Sequence, residues 1–261
     1  MSVEKKLYCV IGQPIAHSAS PRLHNGWFRK LAIKARYEAV EVAPEDLRVF
    51  MKTFREKYAG GNVTIPHKEK VMKYLDVISD EAKKIGAVNT IVNKKGKLFG
   101  HNTDMYGALS SLKNGGVRSL KNKRVLVVGA GGAARAIVYG LSTAQAHVVI
   151  ANRTLSKAKK LAREFDVQAI NLAEWQYEKV DIIINATSVG LKDKNTTPLS
   201  NLKSVLKNTQ KKPIVMDIVY NPKMTKLLKD ARSAGCAIIT GDHMFIGQAK
   251  KAFELWTGKK I

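Results

Sequence analysis

Val125-Leu126-Val127-Val128-Gly129-Ala130-Gly131-Gly132-Ala133-Ala134 is an unbroken aliphatic run that passes through closely spaced glycines into a helix-forming stretch. Aliphatic residues without alternation are the mark of a parallel strand covered on both faces. In the Gly129-x-Gly131-Gly132-x-Ala134 turn that follows, Gly129 permits the tight bend and Gly131 lets a ligand's pyrophosphate approach the backbone. The small residues Gly132, Ala133 and Ala134 let the helix pack closely. The helix start then offers free N–H groups and a positive dipole end to phosphates. Taken alone the glycines also fit an ordinary tight strand-to-helix turn. Their position between an apolar strand and a clean helix favours dinucleotide binding.

On either side of this unit the same alternation continues, which defines an α/β protein. Downstream, strands are predicted at His147 to Ala151, Asp181 to Ala186, Ile214 to Ile218 and Ala237 to Thr240 with helices between, giving roughly five parallel strands in a doubly wound sheet. Upstream, Leu7 to Ile11 reads as a strand, Ser20-Pro21 as the cap of a helix over Arg22 to Ala32, and Tyr37 to Val42 as a strand. Pro44 to Tyr58 reads as an amphipathic helix whose Met51 and Phe54 belong to the core. Gly60-Gly61 breaks it before a strand over Asn62 to Ile65. Val88 to Val92 and Lys97 to Gly100 form a hairpin. The expected division is a substrate domain over 1–103, to which a C-terminal helix over 243–261 returns, and a dinucleotide domain over 104–242.

Where NAD enzymes place an acid at the end of the second strand, this chain has Asn152-Arg153-Thr154, with Lys157 following. A guanidinium suits a ribose 2′-phosphate through planar paired donors, so the expected cofactor is NADP. Lys68 and Asp104 each stand at a strand-to-helix junction, after Asn62-Val-Thr-Ile-Pro-His67 and Gly100-His-Asn-Thr103. Each alone reads as a solvated charge. Beside a hydride cofactor, a lysine and an aspartate supply the proton donor and its positioning partner that carbonyl reduction needs.

Hydrophobic residues are 45% and charged residues 25% of the 261, the balance of an ordinary globular chain. Cys9 and Cys236 have no paired spacing and read as buried thiols. No metal is expected. No apolar run reaches membrane-span length, and the opening MSVEKKLYCVIG runs into Gly12-Gln13-Pro14 without a signal-peptide pattern, so the expected location is cytoplasmic.

Nine segments carry a family resemblance. They are Ile11-Gly-Gln-Pro-Ile-Ala-His-Ser18-Ala-Ser20-Pro21, Asn62 to Lys68, Gly86-Ala-Val-Asn89-Thr90, Asn102-Thr-Asp104, Gly129 to Ala134, Asn152-Arg-Thr154, Asn185-Ala-Thr-Ser-Val-Gly190, Asp217-Ile-Val-Tyr220-Asn-Pro222 and Gly247-Gln248. In this order they closely resemble the shikimate dehydrogenases. The resemblance implies a substrate-binding N-terminal domain, a Rossmann-type NADP domain, a cleft between them, and NADPH-dependent reduction of 3-dehydroshikimate in aromatic amino-acid biosynthesis. It implies that Ser18 and Ser20 hold the substrate carboxylate, with Tyr220 nearby. Asn62, Thr64, Asn89, Asp104 and Gln248 would bind ring hydroxyls, and Lys68 and Asp104 would form the catalytic pair. Cofactor contacts are implied at Gly129, Ala130, Gly131, Gly132, Ala133, Asn152, Arg153, Thr154, Lys157, Thr187, Ser188, Val219 and Gly241. Leu191 stands where the family often has Met, and Phe245 where Leu is common; both keep the apolar character. The nearest alternative is a quinate or dual-specificity relative, against which Ser20 and Arg153 argue. A non-catalytic protein on the same scaffold is the alternative from another class.

The net charge of +24 comes from 45 Lys and Arg against 21 Asp and Glu. The lysines are spread along the chain without aromatic interleaving, which disfavours a nucleic-acid partner. The expected partner is a small-molecule substrate, with no nucleic acid or membrane, in a monomer or homodimer. A diffuse basic field would instead raise the encounter rate with anionic ligands. In that case kcat/KM falls as ionic strength rises, and a value indifferent to salt rules out steering.

Overall fold

The computed structural model describes residues 5–207 and 209–261, so the first four residues of the opening stretch lie outside it. The chain divides into two compact units, Met1–Thr103 with Ala249–Ile261, and Asp104–Gln248.

The first unit contains β1 (Lys6–Gly12), α1 (Ser20–Lys30), β2 (Ala35–Glu41), α2 (Leu47–Lys57), β3 (Gly60–Val63), a 3-10 turn over Lys70–Tyr74, β4 (Val77–Ile78), α3 (Asp80–Ile85), β5 (Thr90–Lys94) and β6 (Lys97–His101). Its sheet runs β2-β1-β3-β5-β6-β4, with β1 parallel to β2 and β3, and β5 antiparallel to β3 and β6. Lys95 and Gly96 close the β5–β6 hairpin with φ of 53° and 85°, the left-handed pair that matches the twist of two antiparallel strands.

Three boundaries differ from the sequence expectation. Gly60 and Gly61 do not break the chain; they pair with Tyr8 and Cys9 as the start of β3. A Cβ on Gly61 would lie 2.6 Å from the Cys9 carbonyl and 3.0 Å from the Phe54 ring, so glycine here permits close approach of α2. Helix α2 begins at Leu47 after a turn in which Asp46 N–H donates to Ala43 O (3.0 Å). Ser20 is the first helical residue of α1, Ala19 holds the cap position, and the Ser18 hydroxyl receives the Ser20 N–H (3.3 Å).

One face of this sheet packs Cys9, Ile11, Met51, Phe54, Val63 and Leu98. The other packs Tyr8, Phe28, Tyr37 and Phe253, with Trp27 and Trp256 beside them. Trp256 is anchored by its indole N–H to Ile91 O (2.9 Å). Both cysteines are free and buried.

The second unit contains α4 (Asp104–Asn114), β7 (Arg124–Val128), α5 (Gly132–Thr143), β8 (His147–Asn152), α6 (Leu155–Phe165), β9 (Gln168–Asn171), a 3-10 turn over Leu172–Tyr177, β10 (Ile182–Asn185), α7 (Leu202–Lys207), β11 (Ile214–Asp217), α8 (Lys226–Ser233), β12 (Ile238–Ile239) and the first part, through Gln248, of α9 (Gly241–Thr257). Its sheet is parallel throughout and runs β12-β11-β10-β7-β8-β9. The described residues thus hold six parallel strands where the sequence pattern gave five. The extra strand is β9, a short edge strand with one buried residue, Ile170. Val125 to Val128 are at most 1% exposed. Burying each such side chain contributes about 1.5–3 kcal/mol, which is why helices must cover both faces. Met244 packs with Ala108 and Ile239 in the core of this unit. Residues 243–248 accordingly belong to the second unit, and the chain joins the first from Ala249 onward.

His24 lies in the aromatic cluster of the first unit, stacked on Tyr37 at 4.5 Å, and neither ring nitrogen has a hydrogen-bond partner among the described residues. Burial lowers its pKa from 6.5 to about 3. The unfolded chain therefore takes up a proton near 6.5 that the folded chain refuses until near 3. Stability is complete above the first value and lost as pH falls toward the second, with a limiting slope of about 1.4 kcal/mol per pH unit. His24→Phe should remove that part of the slope in urea unfolding followed by tryptophan fluorescence. Equal slopes in the two proteins exclude His24 as its source.

Candidate active site

In the first unit, two of the polar residues singled out by the sequence, Asn62 and Asn89, are joined by buried hydrogen bonds. Asn62, in β3, accepts from the Tyr37 hydroxyl at Oδ1 (2.7 Å) and donates from Nδ2 to Asn89 O and Thr90 Oγ1 (3.1 Å each). Thr90 Oγ1 donates to Asn89 Oδ1 (3.0 Å), which also accepts the Thr103 N–H (2.7 Å). The Tyr37 phenol is held well above its usual pKa, chiefly by burial. Tyr37 therefore stays protonated and acts as a fixed donor to Asn62. Asn62 and Asn89 are thus oriented together through Tyr37, Thr90 and Thr103, none of which the sequence reading named as a binding residue.

Thr64 and Lys68 lie on the half-buried loop after β3. That loop is fastened at several points. Thr64 N–H donates to Ile11 O (2.9 Å), His67 N–H to Thr64 O (2.9 Å), and Val88 N–H to Lys68 O (2.8 Å). The His67 ring, fully buried, bonds Val42 O through Nε2 (2.7 Å). His67 is therefore the anchor beside Lys68, a role its place in the Pro66-His67-Lys68 string does not reveal. Asp104 opens α4 in the second unit and is 6% exposed, an acid in the first turn where the helix dipole favours negative charge. Lys68 and Asp104 belong to different units.

The second unit carries the glycine turn at the switch point of its sheet, between β7 and β10, where strands on either side lead away in opposite directions. Ligands of such sheets sit outside the carboxyl ends of the strands at this point. Gly129 has φ of +115°, and a Cβ there would lie 2.9 Å from Thr187 Cγ2, so only glycine fits the bend. Gly131 is different: its φ of −97° suits any residue, and a Cβ on it would meet no protein atom within 4 Å. The absence of a side chain at Gly131 leaves an exposed cradle at the N-terminus of α5 that fits a pyrophosphate. Ala130, Gly132 and Ala133 line the same turn and are half-buried.

At the end of β8, Asn152 Nδ2 donates to Thr154 O (2.9 Å), leaving Arg153, Thr154 and Lys157 exposed around the start of α6. Arg135, in the first turn of α5, pairs with Glu164 of α6 and tethers the two helices. Thr187 Oγ1 donates to Asn185 Oδ1 (2.7 Å), and Ser188 is exposed beside it. Val219 is buried, and the Tyr220 ring stacks on Phe245 of α9 at 4.5 Å. Phe245 O accepts from Gln248 Nε2 (2.9 Å), one turn along the helix that Gly241 begins. Among the described residues no cluster of His, Cys, Asp or Glu could hold a metal ion, and no helix is long and apolar enough to cross a membrane.

This combination, a six-stranded doubly wound sheet with a pyrophosphate cradle at its switch point and a separate mixed-sheet unit bearing ordered hydroxyl and amide groups, defines a two-unit dinucleotide-binding protein of the oxidoreductase type. Residues 10–91 match the family described as "Shikimate dehydrogenase substrate binding domain", and residues 111–233 match "Shikimate / quinate 5-dehydrogenase". The chain is 45% identical to the shikimate dehydrogenase (NADP(+)) of an Exiguobacterium species, over 96% of this chain and 92% of that protein. Its structure resembles that of shikimate dehydrogenase from Aquifex aeolicus with a TM-score of 0.92, at 41% identity, over 100% of this chain and 96% of the other. It also resembles the Thermus thermophilus enzyme in complex with NADP(H) and shikimate, with a TM-score of 0.89 at 38% identity, covering 98% and 94% of the two chains. The chain belongs to the shikimate dehydrogenase family.

Gly131→Val separates cradle from scaffold. A branched side chain meets no protein atom within reach of its Cβ, so the melting temperature should stay within a few degrees of wild type while dinucleotide affinity falls roughly a hundredfold. Undiminished binding in a fluorescence titration with NADPH means that the phosphates lie elsewhere.

Proposed function

We propose that this chain catalyses the reversible NADPH-dependent reduction of 3-dehydroshikimate to shikimate, on the route to the aromatic amino acids. The observation that carries this reading is the Gly131 cradle at the sheet's switch point, in a chain similar over nearly its whole length to proteins named shikimate dehydrogenase (NADP(+)).

Bound NADPH supplies the hydride for the carbonyl carbon. The chain's own residues bind, orient and manage the proton. Ser18 and Ser20 present short hydroxyl donors to the substrate carboxylate, with Tyr220 beside it. Asn62, Thr64, Asn89, Asp104 and Gln248 hold the ring hydroxyls, and the network through Tyr37 supports this role because it fixes the orientation of the Asn62 and Asn89 side-chain amides. Lys68 donates its proton to the oxygen that gains charge as the carbonyl is reduced, and Asp104 positions the substrate and Lys68 for that transfer.

For the cofactor, Gly129, Ala130, Gly131, Gly132 and Ala133 receive the pyrophosphate. Asn152, Arg153, Thr154 and Lys157 receive the adenosine side, with the two cations on the 2′-phosphate. Thr187, Ser188, Val219 and Gly241 surround the nicotinamide side. The proposed setting is the cytoplasm, and the proposed assembly is a monomer or homodimer.

Purified protein should oxidise shikimate with NADP much faster than with NAD, and much faster than it oxidises quinate, with the reduced nicotinamide followed by absorbance. Lys68→Ala should lower kcat by about a thousandfold with little change in shikimate binding, because the lost interaction belongs to the transition state. Turnover with quinate or NAD would move the assignment to the dual-specificity relatives. No turnover at all would favour a binding protein, and an active Lys68→Ala variant would remove this lysine from the mechanism.

A further inference from the structure

Two fully buried polar residues stand side by side at the carboxyl edge of the second sheet and belong to none of the binding groups above. Asn185 ends β10, Asp217 ends β11, and they are register partners. Asp217 Oδ1 accepts two N–H donors, Asn185 Nδ2 (2.9 Å) and the Val219 backbone (3.0 Å). Its Oδ2 accepts the Thr225 hydroxyl (2.7 Å). Among the described residues Asp217 forms no ion pair; three neutral donors satisfy it.

The bond to Asp217 fixes the orientation of the Asn185 amide. With Nδ2 committed to the carboxylate, Oδ1 faces the opposite way and receives both the Thr187 N–H (3.0 Å) and the Thr187 hydroxyl (2.7 Å). Thr187 in turn accepts the Val189 N–H (3.1 Å), and its methyl abuts Gly129 of the cradle turn. On the other side, the Val219 N–H leads into Tyr220, which stacks on Phe245. One carboxylate therefore holds the 186–190 loop and the 218–220 segment in a single arrangement.

We propose that Asp217 is a positioning residue for the cofactor: through Asn185 and the Val219 N–H it sets the spacing of the two segments that receive the nicotinamide side of NADP. The inference rests on the reading of this turn as an NADP site. Burial raises the Asp217 carboxyl from 3.8 to about 6, so near neutral pH it is the ionised form that accepts all three donors.

Three substitutions separate positioning from simple stability. Asp217→Leu keeps the size of the side chain but removes the acceptor of three buried donors, Asn185 Nδ2, the Val219 N–H and the Thr225 hydroxyl, and leaves the Asn185 amide held on that side only by its long contact to Val189 O (3.4 Å). NADPH affinity by fluorescence titration should fall roughly tenfold or more. Asp217→Asn should restore near-wild-type affinity, because its oxygen serves Asn185 and Val219 while its amide donates to the Thr225 hydroxyl. Thr225→Val removes the Oδ2 bond and the cap of α8, where Leu228 N–H donates to Thr225 Oγ1 (3.3 Å). It should lower the melting temperature and leave the dissociation constant within about twofold.

If Asp217→Leu fails to fold by circular dichroism, Asn185→Ala cuts the same link from the other side and should weaken NADPH binding equally. Wild-type affinity in a folded Asp217→Leu or Asn185→Ala protein overturns the positioning role and leaves the NADP assignment standing. Failure of the wild-type protein to bind NADPH overturns both.

Discussion

A parallel strand buried on both faces cannot meet water anywhere along its length, and Arg124–Val128 is such a strand beyond its first residue. Helices must cover it on each side, so the chain winds one way through β8 and β9 and the other way through β10, β11 and β12. The reversal opens a crevice above the carboxyl end of the central strand. Everything proposed for the cofactor follows from where that crevice falls. The turn after β7 has no side chain at Gly131 because the crevice lies there, and Thr187 leans on Gly129 because β10 is the next strand across.

Both units solve the same secondary problem in the same way. Strand ends that carry binding groups need those groups held in one orientation, and a buried polar atom without a partner is costly. In the first unit the solution is the chain Tyr37, Asn62, Thr90, Asn89 and Thr103; in the second it is Thr225, Asp217, Asn185 and Thr187. Each fixes amide orientations through donors whose direction is not in doubt: a phenol that burial keeps protonated, or backbone N–H groups that can only donate.

These networks also mark how far the residues alone could be read. The central strand and its glycine turn were legible because a four-residue aliphatic run and a glycine spacing are local signals. The hairpin of β5 and β6 was legible because Lys-Lys-Gly is a turn in itself. Strand β9 was not, since Gln168-Ala-Ile-Asn171 buries one side chain and pairs only at the sheet edge. Gly60-Gly61 reads as a break because nothing local reveals Phe54 and Cys9 crowding the backbone from other elements. Tyr37 looks like any aromatic in a strand, and its partner Asn62 is 25 residues away. Asp217 precedes its β-branched neighbours as a strand end would, and only the register with Asn185 reveals what its carboxylate does.

The separation of exposed from buried groups in the second unit has a further consequence. Arg153, Thr154 and Lys157, proposed for the 2′-phosphate, are exposed at the end of β8, whereas Asn185 and Asp217 are wholly buried. Exposed cations are screened by salt and have rotamer freedom, so in the proposed role they would discriminate NADP from NAD with modest geometric demands. Hydride transfer has much stricter demands, because a misplacement of about 1 Å is costly in rate. Those demands fall on the side of the site backed by the buried network, where three neutral donors fix one carboxylate. On the proposed reading, cofactor choice and cofactor geometry are therefore carried by different residues under different physical control, and substitutions at the end of β8 are expected to alter the first while leaving the second intact.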